Sequence, residues 1–209
     1  MAIVATDTGG GGDFSPMPQG NHVAVCNMVV DLGKQRSVGQ YGEKIQHKAF
    51  IRWETPDEQI DWTDKDGNEQ TGNRVIGSFY TVSLHENATL RGVLESWRGR
   101  GFTKDELDGF DITKLLGAPC MINVTHSEKN GKNYANVVSV TPLPKALKEN
   151  PPKTSLGLLL YDDDNLANYD LLPEWLQKKI NERIQPTGKT DAADPDAWRD
   201  NDLDDSVPF

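Results

Sequence analysis

Hydrophobic and polar residues follow a strand-like pattern in three segments of the first half of the chain. Residues 22–32 (HVAVCNMVVDL) and 74–84 (RVIGSFYTVSL) are rich in β-branched and aromatic side chains, and residues 44–54 (KIQHKAFIRWE) alternate with a period of two. β-Branched and aromatic residues favour strands, and period-two alternation gives a strand one apolar and one polar face. We therefore predict three consecutive strands.

The pattern changes after residue 84. Apolar residues recur at helical spacing over residues 90–97, with Asn87 as a candidate N-cap, and Thr103 with Glu106 has the spacing of a capping box before a second short helical segment. Residues 119–140 then form two β-rich runs joined by Asn-Gly, which favours a tight hairpin turn. The predicted order is three strands, a helix and two strands.

This order predicts an all-β fold, a five-stranded OB-type barrel with a minor helix between its third and fourth strands. Another small antiparallel barrel or a sandwich is the alternative. Composition divides the chain into a flexible arm (residues 1–19), the OB domain (20–144), a proline-containing linker with a C-terminal helix (145–184) and a disordered acidic tail (185–209).

Charge is distributed unevenly along these parts. Residues 1–150 carry 16 basic and 19 acidic side chains, a net charge of −3, whereas residues 151–209 carry 6 and 13, a net charge of −7. Residues 20–53 contain five basic and two acidic side chains, so this segment has a net charge of +3. Because phosphate binding depends on Lys and Arg, this basic segment predicts a nucleic-acid contact inside an acidic protein. No apolar run approaches the length of a membrane span.

The second predicted strand has the most informative pattern. Its odd positions, Ile45, Ala49, Ile51 and Trp53, suit a barrel interior, so its even positions form an outward basic face that contains one aromatic ring. Basic side chains contact phosphates, and an exposed ring stacks on a base of any identity. In the third strand, Phe79 is predicted to turn outward beside that ring.

In an OB barrel, strands two and three and the loops that join strands one to two and four to five bind oligonucleotides. The candidate residues for binding single-stranded DNA are therefore Lys34, Arg36, Tyr41, Lys44, Lys48, Phe50, Arg52, Phe79, Lys129, Lys132 and Tyr134. The alternative interpretation is that both phenylalanines belong to the core and that the basic residues only form a solvated face.

Few residues have a pattern typical of catalysis or metal binding. The acidic residues at 61–69 do not match the ligand positions of an EF-hand, and their Asp-Gly favours a turn at a hairpin tip. The histidines and cysteines lack paired zinc-ligand spacing, and Cys26 and Cys120 are predicted to be ordinary buried thiols. No P-loop, GxSxG or HExxH motif occurs. We predict a non-enzymatic protein with no metal and no cofactor; a metal-dependent nuclease using the carboxylates at 54–69 is the rival enzyme interpretation.

The end of the sequence contains an acidic stretch followed by an apolar tip. The residues predicted to bind a partner are Asp202, Asp204, Asp205, Val207, Pro208 and Phe209. A terminal phenylalanine supplies a ring and a carboxylate for a basic pocket, and the aspartates accelerate encounter with a basic surface. The tip resembles the tails of bacterial single-stranded DNA-binding proteins, which end in a very similar Asp-Asp-aliphatic-Pro-Phe sequence.

Three further segments resemble the OB-fold single-stranded DNA-binding proteins encoded by tailed bacteriophages. They are LRGVLESWRGRGF (90–102), PCMINVTHSEKNGKNYANVVSVTPLP (119–144) and LPEWLQKKI (172–180), and the resemblance covers roughly residues 22–184. It implies a protein of phage replication or recombination that coats single-stranded DNA in the cytoplasm of the infected bacterial host and recruits replication or recombination proteins through its tail. The long loop at 55–73 and the helix at 173–184 depart from bacterial relatives, so the oligomeric state stays open. An OB-type protein-interaction module and a preference for RNA are alternatives.

Overall fold

The structure, a computed structural model, describes residues 15–39, 42–63 and 66–184. The strands in this part are β1 (Gly20–Gly39), β2 (Gly42–Thr63), β3 (Glu69–Thr81), β4 (Pro119–Lys129), β5 (Lys132–Thr141) and β6 (Leu159–Tyr161). The α-helices are α1 (Thr89–Arg98), α2 (Lys104–Leu107) and α3 (Glu174–Asn181), and single 3-10 segments occur at Ile112–Leu115, Lys145–Leu147 and Leu166–Leu171. Within these described ranges, no helix has the length and apolarity needed to cross a membrane.

The strands form one sheet with the order β3-β2-β1-β4-β5, and β6 is added beside β1. The pairs along this path are antiparallel, whereas β6 runs parallel to β1. The sheet is strongly curled into a half-barrel, which confirms the predicted all-β, barrel-like class. The predicted order of three strands, a helix and two strands is also present.

Local signals in the sequence account for several element boundaries. The capping box of Thr103 and Glu106 forms as predicted, and Asn130 and Gly131 adopt φ values of 54° and 73° in the tight turn between β4 and β5. The N-cap of α1 is Ala88 and not Asn87, and its side chain makes no capping hydrogen bond. The helix is therefore held mainly by the packing of its apolar stripe.

The inner face of the curled sheet packs against α1. Trp53 lies at its centre, with its ring centroid 6.0 Å from that of Trp97 on α1 and 6.4 Å from that of Tyr80 on β3. The predicted interior residues Ala49, Ile51 and Trp53 are all fully buried here. Cys26 and Cys120 are buried free thiols in the same core, as predicted, and burial raises the pKa of Cys26 to about 12.

The outer face of the sheet is covered by the C-terminal part of the described chain. We call residues 154–184 the cover segment; it contains β6 and α3. It packs its apolar side chains on those of β1, β2 and β3, and this second core consists of Met28, Val30, Leu32, Phe50, Phe79, Tyr161, Leu172, Leu176 and Ile180. The predicted C-terminal helix of this part of the chain is present as α3, and it covers the outer face of the sheet because that face is apolar enough to bind it.

A buried carboxylate anchors the start of the cover segment. The Glu54 side chain on β2 is fully buried and accepts hydrogen bonds from the backbone N–H groups of Ser155 and Leu156, from the hydroxyls of Thr154 and Ser155, and from the Asn73 amide. Burial acts to raise the pKa of Glu54, but these hydrogen bonds outweigh it and lower the pKa to about 2. The carboxylate is therefore ionised and saturated with neutral donors.

The other end of the described chain is tied to β1. The backbone N–H of Ile184 donates to the Lys34 carbonyl at 2.8 Å, and the Gln35 amide donates to the Lys179 carbonyl at 3.0 Å. The cover segment thus begins at β2 and ends beside the second half of β1.

Candidate nucleic-acid interface

β1 and β2 extend past the core as a two-stranded arm, and we call its residues 34–39 and 42–48 the basic hairpin. Val38 and Ile45 are 80% and 49% exposed on it. The prediction that Ile45 faces the barrel interior was wrong, because the alternation of β2 continues beyond the point where the sheet has anything to pack against. Tyr41, a predicted site residue, lies outside the described residues.

The basic hairpin concentrates positive charge. Across its ladder Lys34 lies opposite His47, Arg36 opposite Ile45, and Lys44 opposite Ser37. Four Lys and Arg side chains and one glutamate give the arm a formal charge of +3. The ion pair between Arg36 and Glu43 on this arm, at 2.8 Å, is half-exposed and therefore contributes little to stability. The arm can supply several cations to a phosphate backbone.

His47 and Asp31 form an ion pair at the base of the hairpin that the sequence pattern did not reveal. His47 Nε2 lies 2.6 Å from Asp31 Oδ1, and this hydrogen bond raises the pKa of His47. Burial acts to raise the pKa of Asp31, but the hydrogen bonds from His47 and from the Gly33 N–H lower it overall. A histidine sixteen residues from its partner carries no local sequence signal for such a pair.

Phe50 and Phe79 are neighbours, as predicted, but they are not exposed. Their ring centroids lie 5.0 Å apart across β2 and β3, and the residues are 0% and 9% exposed. The prediction that both rings turn outward to solvent was wrong, because the cover segment packs over them. Neither ring offers an open face to a base in this conformation.

Lys48 and Arg52 flank Phe50 along β2, and both are half-buried. Arg52 Nε donates to the Asn27 side-chain oxygen at 3.1 Å, and burial lowers the pKa of Arg52. The alternation of β2 places these two cations on the same outer face as the aromatic pair. The structure therefore brings together three of the predicted site residues of β2 with Phe79 of β3.

The remaining predicted site residues lie on the hairpin formed by β4 and β5. Lys129 and Lys132 pair with each other next to its turn, and both are exposed; Tyr134 lies opposite Ser127. Along the ladder this turn lies beyond the start of β1, because β4 pairs with Gly20–Val25, whereas the basic hairpin extends from the other end of β1. The two predicted loops thus extend from opposite ends of the same strand.

One aromatic residue of the outer face was missing from the sequence-based site. Trp175 on α3 lies against Phe50 and Phe79 and is 36% exposed. The available signal was its position beside the apolar stripe of the predicted helix, but that pattern alone does not distinguish a core residue from a surface one.

The acidic segment predicted to form a hairpin tip lies between β2 and β3, and in its described part Thr63 pairs with Glu69 and Gly67 has a positive φ. Across residues 15–39, 42–63 and 66–184, no group of three or more His, Cys, Asp or Glu side chains is arranged to hold a metal ion. The predicted partner-binding residues at 202–209 lie outside the described residues.

Comparison with protein-family models gives no match for this chain. Comparison with curated proteins gives none either.

Proposed function

We propose that the protein binds single-stranded DNA with little sequence preference, as a phage-encoded OB-type protein that coats exposed strands during replication or recombination in the infected bacterial cytoplasm. The observation that carries this proposal is the basic hairpin, an exposed arm of charge +3 on a half-barrel sheet within a chain of net charge −10. Concentrated cations on one exposed arm favour a polyanionic partner over a merely solvated surface.

The acidic tail has two roles in this proposal. It recruits replication or recombination proteins, and it competes with DNA for the basic hairpin. Support for the second role comes from the bond between the Ile184 N–H and the Lys34 carbonyl, because the residues after Ile184 start beside that hairpin. A tethered polyanion acts there at high effective concentration.

Fluorescence anisotropy of labelled oligo-dT, oligo-U and matched duplex at several salt concentrations tests DNA binding. We expect salt-sensitive binding of oligo-dT over duplex. Replacing Lys34 and Lys44 by glutamine should reduce the slope of log affinity against log salt by about 1.4, since each phosphate contact on a single strand contributes about 0.7. A matched control replaces Lys145 and Lys148, which are exposed at the 3-10 segment that follows β5, and should leave the slope unchanged.

Deleting residues 200–209 tests the tail separately. The affinity for oligo-dT should rise or stay unchanged, and binding of the recruited partner should be lost. Weaker DNA binding by the shortened chain would contradict the competitive role.

A second candidate function is an OB-type protein-interaction module. The observation that favours it is a set of exposed leucines on the cover segment, namely Leu156, Leu158, Leu166 and Leu171, which are 53–66% exposed. Absence of oligo-dT binding at low salt, together with salt-insensitive capture of a replication protein, would favour this function over DNA binding.

A further inference from the structure

Three aromatic rings meet on the outer face of the sheet. The Trp175 ring centroid lies 5.2 Å from that of Phe50 and 6.0 Å from that of Phe79, with interplanar angles of 86° and 73°. Edge-to-face contacts of this kind add specific attraction to the burial of the rings. The two phenylalanines are buried, whereas Trp175 is 36% exposed, so the indole is the member of this cluster that reaches solvent.

A glycine on β3 leaves room for the Phe50 ring that supports the indole. Gly77 on β3 lies opposite Arg52, and a Cβ at this position would collide with the Phe50 ring. The absent side chain allows the Phe50 ring to lie across β3. The indole of Trp175 is therefore supported by two rings held between a sheet and a helix.

The helix carries positive charge next to the indole. Leu176 and Ile180 are buried and fix the orientation of α3 on the sheet. Lys178 and Lys179 follow Trp175 at i+3 and i+4, so they lie on its side of the helix, and both are exposed. The ion pair of Lys179 with Glu182 is exposed and long, at 3.5 Å.

The sheet supplies further cations. Lys48 and Arg52 lie two residues before and after Phe50, on the same face of β2 as this ring. An exposed ring with basic side chains nearby combines the two elements of sequence-tolerant recognition of single strands, namely base stacking and phosphate contact. An exposed tryptophan alone does not indicate a binding site. Here the packing of Trp175 on two buried rings and the basic side chains nearby are what indicate one.

We propose that Trp175 is the residue on which a base of single-stranded DNA stacks, with Lys178 and Lys179 beside it as phosphate contacts. This inference rests on the proposed function. It transfers the stacking role predicted for Phe50 and Phe79 from the strands to the C-terminal helix, and it makes α3 part of the interface.

The test compares two tryptophans in the full-length chain. Trp175→Ala should weaken binding of labelled oligo-dT about tenfold, which corresponds to about 1.4 kcal/mol. The matched control is Trp62→Ala on the β2–β3 hairpin, where the tryptophan is 43% exposed. This control should change the affinity less than about twofold. Equal binding by the Trp175→Ala and unaltered chains would overturn the proposal, and tighter binding would show instead that the helix shields the DNA-binding face.

A conservative variant separates stacking from stability. Trp175→Phe keeps a ring on the aromatic floor and should bind oligo-dT within about threefold of the unaltered chain. Oligo-dT should quench part of the tryptophan emission of the unaltered chain, and this part should be missing in Trp175→Phe at saturating DNA. Identical quenching in both chains would overturn the role of Trp175 while leaving DNA binding intact. Failure of the unaltered chain to bind oligo-dT would overturn the proposed function itself.

Discussion

The two faces of the half-barrel sheet are covered by different parts of the chain. The inner face packs against α1, which is connected to β3 by a short loop, so its core is assembled from residues close to the strands in sequence. The outer face is covered by β6 and α3, which return to β1 after β5 is complete. A strand with apolar residues on both faces needs two partners, and only the first lies nearby in the sequence.

The largest expected effect comes from removing the outer layer. A chain ending at residue 153 would expose five apolar side chains of the sheet that the cover segment now buries. Because each buried side chain of this size contributes about 1.5–3 kcal/mol, we expect loss of cooperative thermal unfolding and binding of an apolar dye. A chain ending at Ile184 retains the layer and is the matched control.

The control chain should unfold within about 2 °C of the full chain, as measured by circular dichroism. Cooperative unfolding of the shorter chain at the same temperature would mean that the inner core alone determines stability.

The anchor between the layers has the next largest effect. Glu54→Gln places an amide against donors that need an acceptor, and we expect a loss of about 3 kcal/mol in the free energy of unfolding. Glu128→Gln on the exposed β4–β5 hairpin should change it by less than about 0.5 kcal/mol. Urea unfolding measures both values, and similar losses in the two variants would contradict the anchoring role.

The same carboxylate predicts acid sensitivity. The pKa of Glu54 is about 2 in the folded chain and has a reference value of 4.5, so the unfolded chain binds more protons between these values. The contribution of Glu54 is present above about pH 4.5 and is lost as the pH falls towards 2. Glu54→Gln should remove this part of the pH dependence of stability, and an unchanged acid slope would contradict the assignment.

A smaller effect distinguishes two glycines. Gly77→Ala inserts a methyl group into the Phe50 ring and should cost about 2 kcal/mol through overpacking of the outer core. Gly92→Ala lies within α1 with no atom within 4 Å of the new Cβ, so it should stabilise the chain by about 0.5–1 kcal/mol. Thermal unfolding measures whether each substitution raises or lowers stability. A stabilising Gly77→Ala would show that Phe50 has room to move.

The smallest effect belongs to the pair at the base of the basic hairpin. Because the pKa of His47 is raised from 6.5 and that of Asp31 is lowered from 3.8, the stabilisation by the pair is fully present between these two reference values, and it is lost as the pH rises through the raised pKa of His47. A double-mutant cycle of His47→Gln and Asp31→Asn should give a coupling of about 0.5 kcal/mol at pH 6 and none at pH 9. Equal coupling at both pH values would rule out an ionic contribution.

The sequence was sufficient to predict the sheet elements and the inner face. Alternation in β2 correctly predicted the burial of Ala49, Ile51 and Trp53, and Asn130-Gly131 predicted the β4–β5 turn, because both signals act between residues that are near in sequence. Alternation also placed Phe50 on the opposite face. It could not show whether that face is exposed to solvent or buried, because this depends on α3, which follows more than one hundred residues later in the chain.

The basic residues of the candidate site could be predicted from the sequence, whereas its exposed aromatic residue could not. Lys34 is exposed and Lys44 is half-buried on the basic hairpin, because a hairpin that extends past the core leaves part of its side chains in solvent. Trp175 could not be assigned to the outer face from the sequence, because the register of α3 on the sheet is set by tertiary packing of Leu176 and Ile180. The basic hairpin and the indole stay functional predictions until binding is measured.

The late position of β6 in the chain has a consequence for biosynthesis. Translation proceeds at about 5–20 residues per second, so a nascent chain that has just completed β5 contains β1 to β5 but lacks β6, the strand that pairs with Met28–Val30. For that interval the outer side of β1 is an unpaired apolar surface outside the ribosome. This is the stage at which we expect newly made chains to depend most on chaperones, and slow translation between Thr141 and Ile184 should increase aggregation.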